Sequence, residues 1–252
     1  MPTARYDDTG AAVEVPPRVA RVVSLVPSLT ETVAVTAPGL LVGATDWCSH
    51  PADLELTRVK GTKSPDLARV VALRPDLVLA NAEENRPEDL EQLRAAGLAV
   101  WVTFPRTVPE ALTSLDRMLT ACGLDRPGWL DEAEAGWADP WTGPRRRALV
   151  PIWRRPWMAV GSGTFTGDVL TRLGVDNVLA DHPERYPKVD LTGLPAYDLV
   201  VLPDEPYAFS PTDGPESFAA PSACVSGRHL TWYGPSLVEA PRVLLAQLGL
   251  AS

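Results

Sequence analysis

Short apolar runs alternate along the chain with longer amphipathic segments. The runs are rich in β-branched residues, which favours buried strands over helices. The runs predicted as strands are 20–27, 40–45, 76–80, 99–104, 147–153, 198–203 and 228–232. The segments predicted as helices are 28–36, 64–73, 87–96, 109–122, 127–138, 166–173 and 236–248. Strands that alternate with helices indicate parallel sheets with helices on both faces.

Turn and cap residues suggest where the first elements begin. Residues 3–18 predict a hairpin that turns at 8–10, where the sequence is Asp-Thr-Gly. Ser28, followed three positions later by a glutamate, is typical of a capping box that opens a helix. Ser64 is predicted to cap the next helix, with Pro65 at its first helical position.

The coarse organisation is two α/β halves joined by a helical span. We predict an N-terminal lobe over 1–106, a linking helical segment over 107–144 and a C-terminal lobe over 145–252. Residues 205–224 are rich in Pro, Ser, Ala and Gly, which predicts a long loop with at most a short helix at 216–219. The fold class is therefore α/β, with two lobes that each carry a mostly parallel sheet flanked by helices.

Composition excludes several classes of protein. The 252 residues are 45% hydrophobic and 22% charged, which is enough for a substantial core. The formal net charge of -9 opposes a nucleic-acid-binding surface. No apolar run reaches the ~18–20 residues that a membrane span needs. The three cysteines form no CxxC pair, and the opening MPTARYDDTG carries no export signal, so we expect a cytoplasmic protein.

Aromatic side chains gather where the predicted strands end. In an open α/β sheet, ligands bind beyond the carboxyl ends of the strands. Aromatic faces with a few hydrogen-bond donors suit a broad ligand that has an apolar body, although core packing is the alternative for each ring taken alone. The predicted ligand-binding residues are Trp47, Glu84, Phe104, Arg106, Trp153, Arg154, Trp157, Phe165, Trp232 and Tyr233, with Arg155 as a further donor.

Three other patterns could carry chemistry. Cys48 and His50 could ligate a metal, but no second pair lies nearby in sequence, so a buried thiol beside a polar loop residue is favoured and no metal site is predicted. Residues 161–167, GSGTFTG, precede a helix and could bind an anion, although a tight turn explains them better. The acid pairs at 83–84 and 204–205 could serve acid–base chemistry, but solvated loop charge is favoured. No catalytic residue is predicted.

A set of motifs in a fixed order resembles one family of binding proteins. The motifs are RVVSLVPSLTET, VGATDWCSHP, GTKSPDLARVVALRPDLVLANAEEN, VWVTFPRT, PIWRRPWMAVGSGTFTGDVLTRLGVDNVLA, DLVVLPDEPY and LTWYGPSL. Together they resemble the substrate-binding proteins of iron-siderophore and vitamin B12 import, the class III or helical-backbone metal-receptor group. The cobalamin-binding subgroup is the closest, and the resemblance covers nearly the whole chain.

The resemblance implies two α/β lobes joined by a single long linking helix, with the ligand in a cleft between the lobes. Proteins of this family deliver their ligand to an ABC transporter permease, on whose arginines one carboxylate from each lobe docks. Glu88 falls near the docking position of the first lobe. The matching position of the second lobe is Gly234, so no docking carboxylate is found there.

These observations together predict a monomeric, non-enzymatic protein that binds a bulky, cobalamin-like corrinoid. We expect no resident cofactor, no nucleic acid and no membrane span; the partners would be the small-molecule ligand and a candidate ABC transporter permease. Alternative ligands are haem, a siderophore chelate or another large natural product. The remaining alternative is a binding scaffold turned to enzymatic use in the cytoplasm, with Cys48, His50 or the acid pairs acting on the ligand.

Overall fold

The computed structural model describes residues 3–139 and 141–251. The chain divides into two compact units, and neither of them is one continuous stretch of sequence. Unit 1 holds the described residues up to Pro105, together with Ala111–Asp131 and Tyr233–Pro235. Unit 2 holds Arg106–Glu110, Glu132–Trp232 and the described residues from Ser236 onward. Within the described ranges, no helix has the length and hydropathy that crossing a membrane requires.

Unit 1 is built on a parallel sheet with the strand order β5-β4-β3-β8-β9. The strands of this part of the chain are β1 (Thr3–Tyr6), β2 (Ala12–Val15), β3 (Val22–Ser24), β4 (Leu41–Ala44), β5 (Thr57–Arg58), β6 (Lys60–Gly61), β7 (Ser64–Pro65), β8 (Leu77–Asn81) and β9 (Val100–Thr103). Its helices are α1 (Pro27–Thr36), α2 (Leu67–Ala72) and α3 (Pro87–Ala95), whereas α4 (Val108–Ala121) and α5 (Gly128–Gly136) each contribute residues to both units. The predicted β1–β2 hairpin is present and antiparallel.

The core of unit 1 explains why its strands read as continuous apolar runs. β3 and β8 are buried along their whole length, as expected for parallel strands that are covered on both faces. Val70 of α2 and Leu93 of α3 join one cluster with buried strand residues such as Val78. The carboxyl ends of β3, β4, β8 and β9 consequently point to one edge of the sheet, because all neighbouring pairs are parallel.

Unit 2 has a second parallel sheet, with the strand order β13-β10-β14-β15. Its strands are β10 (Arg146–Leu149), β11 (Pro151–Trp153), β12 (Met158–Ala159), β13 (Val175–Asn177), β14 (Leu199–Pro203) and β15 (Ser222–Val225). Its helices are α6 (Phe165–Arg172), α7 (Gly227–Thr231) and α8 (Ala240–Gln247), with short 3-10 turns at Pro215–Ser217 and Pro235–Val238. β11 and β12 form a separate antiparallel hairpin. The predicted α/β class, with parallel sheets flanked by helices, is confirmed.

Two predicted helix caps are wrong. Helix α1 begins one residue earlier than Ser28, with Pro27 in its first turn and Val26 at the N-cap position without a side-chain cap. Proline fits the first helical position because its missing N–H has no intrahelical acceptor there. For α2, the cap is Asp66, whose carboxylate accepts a hydrogen bond from the backbone N–H of Arg69 at 3.1 Å. The predicted cap Ser64 instead pairs as part of β7 with β6.

The prediction for 228–232 as a strand is also wrong, since these residues lie in and just after helix α7. The backbone N–H of Trp232 donates to the carbonyl of Arg228, as in a helical turn. The strand of this part of the sheet is β15, inside the segment 205–224 that was predicted as a loop. β15 has only one fully buried residue, Val225, so it lacks the apolar run that marks an inner strand.

The predicted strand 147–153 is two strands. β10 remains in the parallel sheet, whereas β11 turns away to pair with β12. Trp153 therefore ends a hairpin strand that follows β10, and the residues after it form the hairpin turn.

Candidate functional site

Three of the predicted ligand-binding residues of unit 1 each follow a strand of its parallel sheet. Trp47 follows β4, Glu84 follows β8 and Phe104 follows β9, so all three lie at the carboxyl edge of the sheet. This is the edge at which open parallel sheets bind ligands. Trp47 is 68% exposed, which is unusual for so large an apolar ring. Phe104 is half-buried, and its backbone N–H donates to the Asp8 carboxylate at 2.8 Å.

A fixed loop presents the Trp47 ring. The guanidinium of Arg58 donates to the carbonyls of Thr45 and Cys48 on either side of it, at 3.0 and 2.9 Å. The buried thiol of Cys48 lies 3.0 Å from the hydroxyl of Thr30 and 3.1 Å from that of Thr45. A Cβ at Gly61 would come within 3.3 Å of the Trp47 indole nitrogen, so the ring lies close over this glycine. The loop can therefore hold the exposed ring in one place.

The same contacts explain Cys48 without a metal. Burial raises the pKa of the Cys48 thiol, which opposes the thiolate that a metal would need. His50 contacts the Ser49 hydroxyl at 3.2 Å. Within the described part of the chain, no group of three metal-ligating side chains exists. These features favour the buried thiol and polar loop residue that the sequence predicted.

Glu84 lies in a tight turn after β8. The amide oxygen of Asn81 accepts hydrogen bonds from the backbone N–H groups of Glu83 and Glu84, at 2.7 and 3.1 Å. Part of Glu84 reaches solvent, yet desolvation by the surrounding protein raises the pKa of its carboxyl, against a smaller opposing effect of Lys63. The turn thus fixes the backbone of Glu84, while its side chain is exposed.

Tyr233, in contrast, lies in the interior of unit 1. Its hydroxyl accepts a hydrogen bond from the Asn81 amide at 2.6 Å and lies 2.8 Å from the hydroxyl of Thr103. Thr103 donates its own hydrogen to the carbonyl of Ala80, so the phenol donates to Thr103. The ring is 7% exposed and its polar atom is fully used inside the unit. The contacts thus give Tyr233 a structural role.

Unit 2 carries an aromatic cluster formed by the β11–β12 hairpin and the loop after β14. Trp153 meets Tyr207 edge to face at 5.7 Å between ring centroids. Trp157 stacks on Phe209 at 6.0 Å and meets Phe218 at 5.2 Å. Trp153 is 43% exposed and Trp157 is half-buried, so the cluster has a buried side and an open side.

Sequence reasoning missed Tyr207, Phe209 and Phe218. They lie in the segment 205–224, which its Pro, Ser, Ala and Gly content predicts as a loop, and the prediction is correct apart from the 3-10 turn at Pro215–Ser217 and strand β15. A usable signal was present, because Tyr207 and Phe209 follow the strongly apolar strand β14. Aromatic residues that follow a parallel strand, as Trp47 and Phe104 do, lie at the edge of the sheet where ligands bind.

Arg154 is held inside this cluster. Its guanidinium forms ion pairs with Asp213 and, at 2.5 Å, with Glu216. It also lies 5.4 Å from the centre of the Trp157 ring. The side chain is 17% exposed. Arg154 therefore ties the hairpin to the loop 204–218, and its donors are engaged by the protein. Arg106, the other predicted arginine, is exposed, and its backbone N–H donates to Glu110 at 2.7 Å.

Phe165 and Trp232 lie in the interior of unit 2. Phe165 is the first residue of α6 and is 5% exposed. The preceding residue, Thr164, caps the helix by accepting from the N–H of Gly167 at 3.1 Å, which accounts for the GSGTFTG segment as a turn and cap. Trp232 is 6% exposed, and its indole N–H donates to Glu205 at 2.8 Å.

The second acid pair also has structural partners. Glu205 accepts the bond from Trp232, and Asp204 accepts a hydrogen bond from the N–H of Gly227 at 2.6 Å. These contacts connect the loop after β14 to the start and end of helix α7. The carboxylates of Asp204 and Glu205 therefore have a structural role that involves no acid–base chemistry.

Comparison with known proteins adds sequence and fold relatives. No model of a protein family matches the chain. A vitamin B12-binding protein of Pectobacterium carotovorum is 24% identical over 242 residues, which cover 90% of this chain and 88% of the relative. A vitamin B12-binding protein of Vibrio parahaemolyticus is 25% identical over 181 residues, which cover 69% of this chain and 66% of the relative.

Solved structures share the fold. The periplasmic vitamin B12-binding protein BtuF of Vibrio cholerae has a TM-score of 0.75 at 18% identity, with 92% of this chain and 97% of that chain covered. The periplasmic haem-binding protein RhuT of Roseiflexus sp. RS-1 has a TM-score of 0.74 at 19% identity, with 91% and 98% covered. CeuE of Helicobacter pylori, solved with Ni(II) bound, has a TM-score of 0.80 at 14% identity, with 98% and 88% covered.

In fold, the chain is similar to the class of periplasmic binding proteins. Within that class, it resembles the vitamin B12 and iron-siderophore substrate-binding proteins, and this resemblance is confirmed by relatives in sequence and in structure. Several of the proteins that it matches are named as binding proteins for vitamin B12 or haem.

The predicted cytoplasmic location is wrong. Structural neighbours such as BtuF and RhuT are periplasmic binding proteins. The prediction rested on the opening residues and on three unpaired cysteines. Neither is a sound guide here, because two of these cysteines, Cys48 and Cys122, are buried side chains that need no reducing compartment to stay free.

Proposed function

We propose that this protein binds a bulky corrinoid of the cobalamin type as a substrate-binding protein of an import system. One observation carries the proposal. All eight tryptophans lie in the described ranges, and Trp47 and Trp153 are the two whose side chains are exposed. Each stands after a strand, at the carboxyl edge of the sheet in its own unit or on the hairpin that follows that edge. Exposed indoles on fixed loops provide flat apolar faces for a broad ring.

In each unit, further predicted ligand-binding residues lie near the exposed tryptophan. In unit 1, Phe104 and Glu84 flank the same edge as Trp47. In unit 2, Arg154 lies over the Trp157 ring, and Tyr207 meets Trp153 edge to face. Phe165, Trp232 and Tyr233 are buried within their own units, and Arg106 is exposed two residues after Phe104.

Haem is the second candidate ligand. Several structural neighbours are named as haem-binding proteins, among them RhuT and BhuT. A planar tetrapyrrole also presents apolar faces of the size that exposed tryptophans cover. The two ligands are readily told apart by experiment, because their absorption spectra and masses differ.

We further propose that the loaded protein delivers its ligand to an ABC transporter permease. Glu88 is exposed in the first turn of α3 and is available for a transporter arginine. Gly234 is not a docking position, because it is buried and a Cβ there would come within 2.8 Å of the Thr32 hydroxyl. A second docking carboxylate would have to come from another exposed position of unit 2.

The test is a fluorescence titration of the purified protein with cyanocobalamin and, separately, with haem. The expected result is quenching of tryptophan fluorescence at a stoichiometric endpoint. Trp47→Ala and Trp153→Ala should each weaken binding by roughly tenfold, the loss of one large aromatic contact. Trp141→Phe serves as the control, since Trp141 packs against Gly174 at the opposite edge of the unit 2 sheet. Flat titrations with both ligands would reject the proposal.

A further inference from the structure

Two adjacent arginines in the turn of the β11–β12 hairpin have opposite surroundings. Arg154 is largely buried and is shared between Asp213 and Glu216. Arg155 is exposed, and within residues 3–139 and 141–251 it forms no ion pair. The Arg154 guanidinium thus binds carboxylates of the protein, whereas the Arg155 guanidinium is accessible to solvent or to a bound molecule.

The backbone at Arg155 strengthens this contrast. Its φ of 71° lies in the left-handed region, where glycine, asparagine and aspartate are the usual residues. A left-handed arginine is less favourable than glycine at the same place, and such positions are retained chiefly where the surrounding structure enforces them for a functional reason. The hairpin pairing of Trp153 with Met158 and the ion pairs of Arg154 provide that enforcement.

The surroundings of Arg155 are those of a ligand contact. The exposed Trp153 is two residues away in the same turn and meets Tyr207 edge to face. The hydrogen bond to Asp213 raises the pKa of Tyr207, and the nearby charges of Arg154 and Arg155 act in the opposite direction. The Arg155 charge therefore lies close to the Trp153–Tyr207 face. This part of the surface combines an apolar platform with a guanidinium that forms no ion pair within the described residues.

We infer that Arg155 binds an anionic group, a carboxylate or a phosphate, at the edge of a ligand whose apolar body rests on Trp153. A guanidinium suits either group, because its planar donors match two anionic oxygens at once. This inference rests on the proposed function and narrows it to a bulky apolar ligand that carries a negative charge. Haem offers carboxylates, and cobalamin offers a phosphodiester.

The experiment compares charged ligands with neutral counterparts. Wild type, Arg155→Gln, Arg155→Lys and the control Arg147→Gln are titrated with haem, haem dimethyl ester, cyanocobalamin and dicyanocobinamide, which lacks the phosphate. Arg147 is a matched control, because it is an exposed arginine on β10 at the other end of the same strand–hairpin segment. For the charged ligand that wild type binds, Arg155→Gln should lose about tenfold in affinity. Lysine should recover part of the loss, and Arg147→Gln should bind as wild type does.

The neutral counterpart of that ligand should bind Arg155→Gln and wild type equally. A loss of affinity for haem alone identifies a carboxylate as the anion, and a loss for cyanocobalamin alone identifies a phosphate. Arg155→Gly is a control that separates a loss of binding from a loss of folding. It should melt no lower than wild type, because glycine accepts the left-handed backbone, and yet bind the charged ligand as weakly as Arg155→Gln. Equal binding of the charged ligand by wild type and Arg155→Gln overturns the inference and leaves the proposed function standing. Failure of wild type to bind either haem or cyanocobalamin overturns both.

Discussion

The indole N–H of Trp232 donates a hydrogen bond to the Glu205 carboxylate at 2.8 Å, and this bond fixes the end of helix α7 to the loop after β14. Trp232 and Trp153 both follow strands of the same sheet, but the first is 6% exposed and the second 43%. Removing each ring should therefore change the free energy of unfolding by a different amount.

Trp232→Ala should lower the free energy of unfolding by about 3 kcal/mol or more, because it leaves a cavity and removes the hydrogen bond from the indole N–H to the Glu205 carboxylate. Trp153→Ala should change the stability by less than about 1 kcal/mol, since much of this ring is already in water. Urea denaturation followed by circular dichroism measures both. Equal losses of stability in the two variants would contradict the burial seen here.

Tyr233→Phe should destabilise the protein by about 1–2 kcal/mol. The substitution keeps the ring but removes the hydroxyl that accepts from Asn81 and donates to Thr103, so two buried polar groups lose a partner. Tyr6→Phe is the control, because Tyr6 is 64% exposed and its loss of a hydroxyl should be neutral. Ligand affinity should be unchanged in Tyr233→Phe, and a selective loss of binding would show that the Tyr233 hydroxyl contributes to ligand binding.

Glu84→Gln should make the protein more stable at neutral pH. Desolvation raises the pKa of Glu84 in the folded protein. Because the folded-state pKa of this carboxyl is the higher one, its contribution to the free energy of unfolding is fully present below the unfolded-state pKa. That contribution is lost as the pH rises through the folded-state pKa. The variant should melt above wild type at pH 7 and close to it at pH 3.5, because both side chains are then neutral. Melting curves at the two pH values test the sign of the effect.

Arg154→Met should loosen the loop 204–218 and weaken ligand binding by roughly tenfold through lost preorganisation. The hydrophobic chain of methionine can replace the contact with Trp157 but not the ion pairs with Asp213 and Glu216. Near-ultraviolet circular dichroism of the ligand-free protein should change, because Trp153, Trp157 and Tyr207 lie in this cluster. An unchanged spectrum with weakened binding would instead mean that Arg154 contacts the ligand itself.

The three thiols should differ in reactivity. Burial raises the pKa of Cys122 to about 12 and also raises that of Cys48, so neither forms much thiolate at pH 8. Cys224 is only partly buried on the edge strand β15. Iodoacetamide should therefore modify Cys224 in the native protein and all three thiols in urea, as read by peptide mass spectrometry. Rapid native labelling of Cys48 would show that its loop opens.

Much of the fold could be predicted because most strands have a recognisable sequence pattern. β3, β8, β9 and β14 are buried along their length, so their sequences are unbroken apolar runs with β-branched residues. β15 could not be found in this way. It is paired with β14 alone, and three of its four residues are only half-buried, so its composition resembles that of a loop.

The candidate site was only partly predictable for a related reason. Position after a strand correctly indicated the exposed rings Trp47 and Trp153, because strand ends define the edge of the sheet. It did not separate them from Trp232, since helical pairing of the backbone turns that ring inward. Adjacent arginines in one turn were equivalent in sequence, and only the positions of Asp213 and Glu216 distinguish Arg154 from Arg155.

The buried phenol of Tyr233 has a bearing on how the polypeptide can be made and divided. It completes the interior of unit 1 from a point 152 residues beyond its partner Asn81. The ribosome must accordingly finish nearly all of the chain before this interior can close. A fragment that stops after the first sheet would carry a hole where the ring belongs, so the two units are poor candidates for separate expression by a single cut.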